Sequence, residues 1–481
     1  MLSLTKALLE EPDFRRLIAG IDAGACPAVI SGLSEIHRAH AAAAVRASTM
    51  RPVAIICADE EEAARMSRDI ATLTMEQAYT LISREFTFHS AEVVSRQIEQ
   101  RRIAALVALA DNKAPIVVMS VNGALQRTMP QRQLVESSLM LKMGSTHDLN
   151  SVVERLVLCG YSRSEQVEGP GQFALRGGIL DFFSPVYDEP VRCEFFGDEI
   201  DSMGFFDITS QRRTEQLDLV SIVPVAETMP ALYKDERGNW REEGIGRGKH
   251  PGLSVNGAQG LAAEIEEHIT RLGKRRGTSA TLLKNLASDA ERLKSGRSFP
   301  AADRYIELIY PMATALDYLK DDTVVILCEP LRVKERAEGF LKQLGEECVA
   351  LLEAGVLESS LVRFTEDWEG FLNRISENPV IMADSFTGSS YPLRPRTMLN
   401  ISTKRLPSYG GSMETAASDI EYYKKSGYRT VILCHDQRRA KNLRECLEER
   451  GISSSLDYAL QELPNNGSCI IAEGDLSAGM E

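Results

Sequence analysis

The sequence predicts an α/β protein: a parallel-sheet domain carrying an inserted α+β module, followed by a second, small α/β domain. Two observations predict it. A short apolar strand, a polar or proline cap and an amphipathic helix recur three times, as 53–57 before 60–73, 325–328 before 332–344, and 431–434 before 437–450. Units of this kind build parallel sheets covered by helices. Between the first two, from about 141 to 222, closely spaced strands are predicted at 173–175, 178–183, 191–196 and 202–207, separated by polar or glycine-containing turns.

The elements follow in order. Residues 27–31 form an apolar strand leading into an alanine-rich helix, and 116–120 form a second strand. The module occupies 127–222 and interrupts a domain made of 1–126 and 223–378. Residues 239–257 are rich in glycine and charge and are expected to be a loop. Residues 258–294 have helical periodicity with a break at 273–277. A small α/β domain is expected over 379–481, and the strand near 469–472 reads as the start of a unit that continues in a longer protein.

Within the module, Phe173 and Leu175 alternate with Gln172, Ala174 and Arg176, so that Arg176 stands on the face opposite the two apolar residues. Gly177-Gly178 allows a tight turn beside it. This displays a rigid charged group, with no catalytic chemistry nearby.

Composition excludes several classes. The 481 residues carry a net charge of −14, which does not suit a protein that holds duplex DNA along a basic field. The basic run 271–276 reads as a solvated helix end. Nine scattered cysteines without a Cys-x-x-Cys pair fit a reducing cytoplasm better than disulfides or zinc. No apolar run reaches about 18 residues, so no membrane span is expected. The seven histidines show no metal-binding spacing, and neither metal nor cofactor is expected.

A phosphate-binding loop would sit after the strand 27–31, but its place holds Gly32-Leu33-Ser34-Glu35 with no Gly-Lys-Ser/Thr. Glu35 would repel a phosphate, and His37 and Arg38 are expected on an ordinary helix face. The partner strand ends in Cys328-Glu329, where a thiol replaces the aspartate that would hold magnesium. The fold is therefore expected to be a degenerate P-loop or helicase-like one, with Gly32, Leu33, Ser34 and Glu329 marking the lost nucleotide site and no catalytic residue.

Residues 173–185, 191–202 and 206–212 strongly resemble the UvrB-homology module of the bacterial transcription-repair coupling factors, the Mfd family. Softer similarity runs through 27–38, 116–127, 308–330 and 474–479. The resemblance implies a chain that is the N-terminal part of a longer ATP-dependent DNA translocase. RNA polymerase and duplex DNA would then be contacted only by other domains. It also implies that the module binds the damage-recognition ATPase UvrA, through positions matching Arg163, Arg176 and a hydrophobic residue after the glycines, Phe182 or Phe183. A DNA-dependent ATPase or helicase-like enzyme, and a UvrB-like damaged-DNA binder, are the rival expectations. The tyrosine-rich hairpin of UvrB has no counterpart, since 86–91 lead directly into a helix expected over 92–109.

Overall fold

The computed structural model describes residues 2–89, 97–233, 257–296 and 299–481. The expected loop at 239–257 and the expected helix start at 92–96 fall almost wholly outside these residues. The chain first lays down four parallel strands: β1 (Ala28–Ser31), β2 (Val53–Cys57), β3 (Ala78–Leu81) and β4 (Ile116–Ser120). β1, β2 and β4 are buried throughout, as strands covered on both faces must be. The helices Glu35–Thr49 and Glu60–Thr74 cover one face. Asp59 caps the second by accepting from the Glu62 amide at 2.8 Å.

The module follows, with β5 (Leu139–Lys142), the helix Leu149–Leu158, β6 (Ser162–Arg163), β7 (Gln172–Arg176), β8 (Ile179–Phe182), β9 (Val191–Phe196), β10 (Glu199–Phe206), β11 (Arg213–Gln216) and β12 (Leu219–Ile222). Strands β6 to β11 form a six-stranded sheet in sequential order, and β5 pairs with β12 at the module's root. Phe173, Leu180, Phe182, Val191, Cys193 and Met203 pack with Leu156 and Leu141 into the module's own core.

The chain then returns through the helices Gly257–Gly273 and Ala280–Lys294 to β13 (Val324–Cys328), the long helix Pro330–Glu353, β14 (Val380–Ala383) and β15 (Thr397–Asn400). The main sheet runs β15-β1-β14-β13-β2-β4-β3. The boundary expected at 379 is therefore misplaced: β14 and β15 flank β1 and complete the first domain. Their pairing joins residues about 350 positions apart, and local pattern cannot report it. The small domain starts later, with the helix Met413–Lys425 and a parallel sheet of β16 (Thr430–Cys434), β17 (Ser455–Leu456) and β18 (Cys469–Glu473).

A buried ionic cluster fixes the return from the module onto the first strands. Arg84 donates from both terminal nitrogens to Asp303 at 2.8 Å, and Asp303 also accepts from the Thr87 amide and from Thr228. Arg102 grips Glu227 at 2.5 and 3.0 Å. Removing Asp303 leaves Arg84 only the longer ion pair with Glu227 at 3.4 Å, which Arg102 already claims. Asp303→Ala is expected to destabilise the chain by about 3–5 kcal/mol, read as a lowered midpoint in urea unfolding.

Candidate functional site

Two places require a functional reading: the carboxyl edge of the main sheet, where ligands of such folds bind, and the outer face of the module.

At the carboxyl edge the chain fills its own crevice. Gly32 has φ 87°, and a Cβ there would lie 1.9 Å from the Ile401 carbonyl oxygen. Its conformational freedom thus serves the passage of the chain's own backbone after β15. The Leu33 amide donates to the Asp384 carbonyl at 3.1 Å, and the Leu33 side chain is buried. Ser34 Oγ is engaged with His37 Nδ1 at 2.8 Å. Glu35, expected to face a phosphate, pairs with Arg65 at 2.6 Å.

Arg38 departs from the expectation of an ordinary helix face. It is 4% exposed, and its guanidinium reaches into the crevice. There it pairs with Glu329, donates to the Leu33 carbonyl at 3.1 Å and to Ser385 Oγ at 3.2 Å, and meets Glu62 at 3.2 Å. Burial opposes its charge, but Cys328, Glu329 and Glu62 together raise its pKa above the ordinary value. Glu329, in the left-handed region at φ 50°, turns its carboxylate back toward Arg38 and Ser385. Of the four marker residues, Leu33 through its carbonyl and Glu329 through its carboxylate meet at the Arg38 guanidinium, whereas Gly32 packs on the backbone after β15 and Ser34 bonds His37.

Asp384 lies beside Glu329 and shares a hydrogen bond with it. Burial, then that bond and the Glu329 charge, push the Asp384 carboxyl up to about 6. Burial would raise Glu329 as well, but bonds from Ser385 and Asp384 and the Arg38 charge hold it below its ordinary range. The nearby open pocket of about 540 Å³ is lined by Asp59, Glu60, Glu61 and Glu335 with Arg332 and Arg336. Four carboxylates against two guanidinium groups repel a polyphosphate. Among the described residues no cluster suited to a metal ion occurs, and no helix is long and apolar enough to cross a membrane.

On the module, strand register assigns the two sheet faces. Arg176 stands opposite Ile179 and Ile179 opposite Glu194, while Ala174, Asp181 and Arg192 form the next row. These residues and, by alternation, Phe196 share the outer face. Its inner row is sealed. Asp181 and Arg192 form a two-pronged pair at 2.7 and 2.8 Å, and the Arg192 guanidinium lies 4.4 Å from the Phe206 ring centroid. Ala174 is covered by Val167, Phe183 and Phe206.

The outer row, at the hairpin tips, is open. Arg176 is exposed, and its Nε and Nη2 donate to the Glu165 carbonyl at 3.2 and 2.9 Å. Glu165 lies two residues past Arg163, the last residue of β6, so this bond ties the segment after β6 to Arg176. Arg163 itself is in register with Phe173 and therefore stands on the face opposite Arg176, at the edge of the sheet. Arg163 is also exposed. Glu194, the residue best placed to neutralise Arg176, is occupied by Ser202 at 2.9 Å and Arg213 at 3.1 Å. Among the described residues no carboxylate pairs with Arg163 or Arg176.

Neither phenylalanine expected at this face is exposed on it. Phe182 is 0% exposed because it pairs with Phe173 on the core side of the sheet, and Phe183 lies beneath the 164–171 loop with Ala174. The apolar residues actually exposed at these tips are Ile179 and Phe196, at 40% and 83%. Alternation in 191–196, with Val191, Cys193 and Phe195 inward, is the signal that would have found Phe196.

The architecture defines a helicase-like α/β scaffold bearing a separate interaction module. Residues 139–227 match the family described as the UvrB interaction domain. Over 478 residues the chain is 28% identical to a transcription-repair-coupling factor of Bacillus subtilis (strain 168), covering 98% of this chain and 38% of that protein. It is 23% identical to the factors of Staphylococcus haemolyticus and Staphylococcus aureus (strain MRSA252), covering 94% and 100% of this chain. The chain spans about two fifths of the length of these curated relatives. The similarity to the N-terminal region of transcription-repair coupling factors thus runs along the chain, and the family match falls on the module.

The raised Asp384 carboxyl gives a pH signature. A group whose folded pKa lies above its ordinary value of about 4 favours the folded state at low pH. That contribution is lost as pH rises from about 4 through about 6. Asp384→Asn is expected to lose less thermal stability than the unmodified chain between pH 5 and pH 8. Parallel Tm-against-pH curves for the two would contradict the assignment.

Proposed function

We propose that the chain is a non-catalytic docking scaffold that recruits UvrA through the outer face of its module. On this reading it is one part of a larger cytoplasmic factor linking stalled RNA polymerase to nucleotide excision repair. Polymerase and duplex DNA are contacted by other domains, and the helicase-like domain is a support that no longer turns over ATP.

One observation carries the reading. Arg176 stands exposed on a rigid hairpin, oriented by a backbone carbonyl, with its charge left unneutralised. A guanidinium offers a planar fork of donors suited to carboxylates. Left in solvent it adds little to stability, but buried against a partner it is a frequent anchor. Arg163 adds a second exposed fork on the edge strand β6, on the face opposite Arg176. The support is a family match confined to this module and relatives whose name couples transcription to repair. The own-filled crevice, with its carboxylate-lined rim, supports the absence of turnover.

Arg163→Ala with Arg176→Ala is the direct test, by calorimetric titration against purified UvrA. Each truncation at an interface centre is expected to cost roughly 2 kcal/mol, so the double variant is expected to lose detectable binding while its Tm stays unchanged. Unmodified affinity in the double variant would refute the assignment. A mobility shift of damaged duplex DNA by this chain at physiological salt would instead favour the UvrB-like reading.

A further inference from the structure

Phe196 is the most exposed large apolar residue of the module, yet its position is firmly fixed. It pairs with Glu199 across a two-residue turn whose first residue, Gly197, has φ 64°. The strand is tied to the neighbouring hairpin by the Phe195 amide, which donates to the Gly178 carbonyl at 2.8 Å. From the other side, the His147 amide donates to the Asp198 carbonyl at 2.7 Å and the Gly144 amide to the Ile200 carbonyl at 2.9 Å. The folded chain gains almost nothing from the ring itself, which remains in water.

The paired glycines keep it uncovered. A Cβ at Gly178 would press to 2.7 Å from the Phe195 carbonyl oxygen, so glycine is required for the two hairpins to lie side by side. Gly177, at φ 61°, faces open space. No side chain from this turn can shield Phe196 or Ile179. Register places Ile179 opposite Arg176 and puts Phe196 on the same sheet face. On this open face the row Arg176, Ile179 and Glu194 continues two residues along β9 to Phe196. Two apolar side chains thus flank Glu194, which is engaged by Ser202 and Arg213, beside the guanidinium of Arg176.

We propose that Phe196, assisted by Ile179, is the apolar anchor of the docking face. The partner surface then offers an apolar socket rimmed by carboxylates that receive Arg176. This rests on the function proposed above and identifies the socket as a feature of UvrA. The charge of the neighbouring Arg176 argues for that occupant, because a second copy of the chain apposed through this face would set like charges against each other. The anchor is held rigid by backbone bonds, so little conformational freedom is lost on binding.

The test compares Phe196→Ser, Phe196→Trp and Arg176→Ala by calorimetric titration with UvrA, with Tm and sedimentation measured for each. Phe196→Ser is expected to weaken binding about 30-fold with unchanged Tm, and Phe196→Trp to restore most of it. If Phe196→Ser binds as the unmodified chain does while Arg176→Ala does not, the anchor is refuted and the docking function stands. If neither variant loses affinity, both are refuted. If Phe196→Ser leaves UvrA affinity intact but abolishes a dimer of the unmodified chain, the anchor belongs to self-association and the proposal is overturned.

Discussion

The buried guanidinium of Arg38 ties together the parts of the first domain that a nucleotide would otherwise organise. It springs from the first turns of the helix Glu35–Thr49 and contacts Glu62 on the next helix, Glu329 at the head of the helix Pro330–Glu353, and Ser385 just beyond β14. These elements come from chain segments up to about 350 residues apart. A phosphate group bound by backbone amides could draw the same elements together from outside. Here the charge is internal, permanent and matched by carboxylates. Truncating it would leave Glu62 with the longer Arg332 contact at 3.4 Å and Glu329 with its bonds to Ser385 and Asp384, so both carboxylates would lose their closest cation.

That internal closure determines what the module can be. An insertion into a sheet that opens and closes around a ligand would move with the ligand. This one is rooted in a body whose crevice is already filled, and its return path is clamped by Arg84–Asp303 and Arg102–Glu227. The module adds its own core and a second bolt, Asp181–Arg192 under Phe206. The result is a stiff sheet with a sealed inner row and an open outer row. Stiffness matters for docking, since order present before binding need not be acquired during it.

Much of this is legible in the sequence, for identifiable reasons. The β–α units at 53–74, 324–353 and 430–448 announce themselves because their parallel strands, fully buried in the first two and half-buried in the third, are continuous apolar runs ending in caps. The division of Phe173 and Leu175 from Ala174 and Arg176 follows from period-two alternation, and the register bears it out. Alternation applied one strand further would have placed Phe182 in the core and Phe196 outside. Three features lie beyond local pattern. Arg38 is indistinguishable in sequence from a solvated helical arginine, because its partners are distant. β14 and β15 carry no mark of pairing with β1. The shielding of Ala174 depends on a loop folding over it.

The crevice is occupied by the chain's own side chains. Titrating the chain with a fluorescent ATP analogue in magnesium buffer measures this directly. No saturable binding is expected up to millimolar nucleotide. Saturable micromolar binding that unlabelled ATP competes away would contradict it.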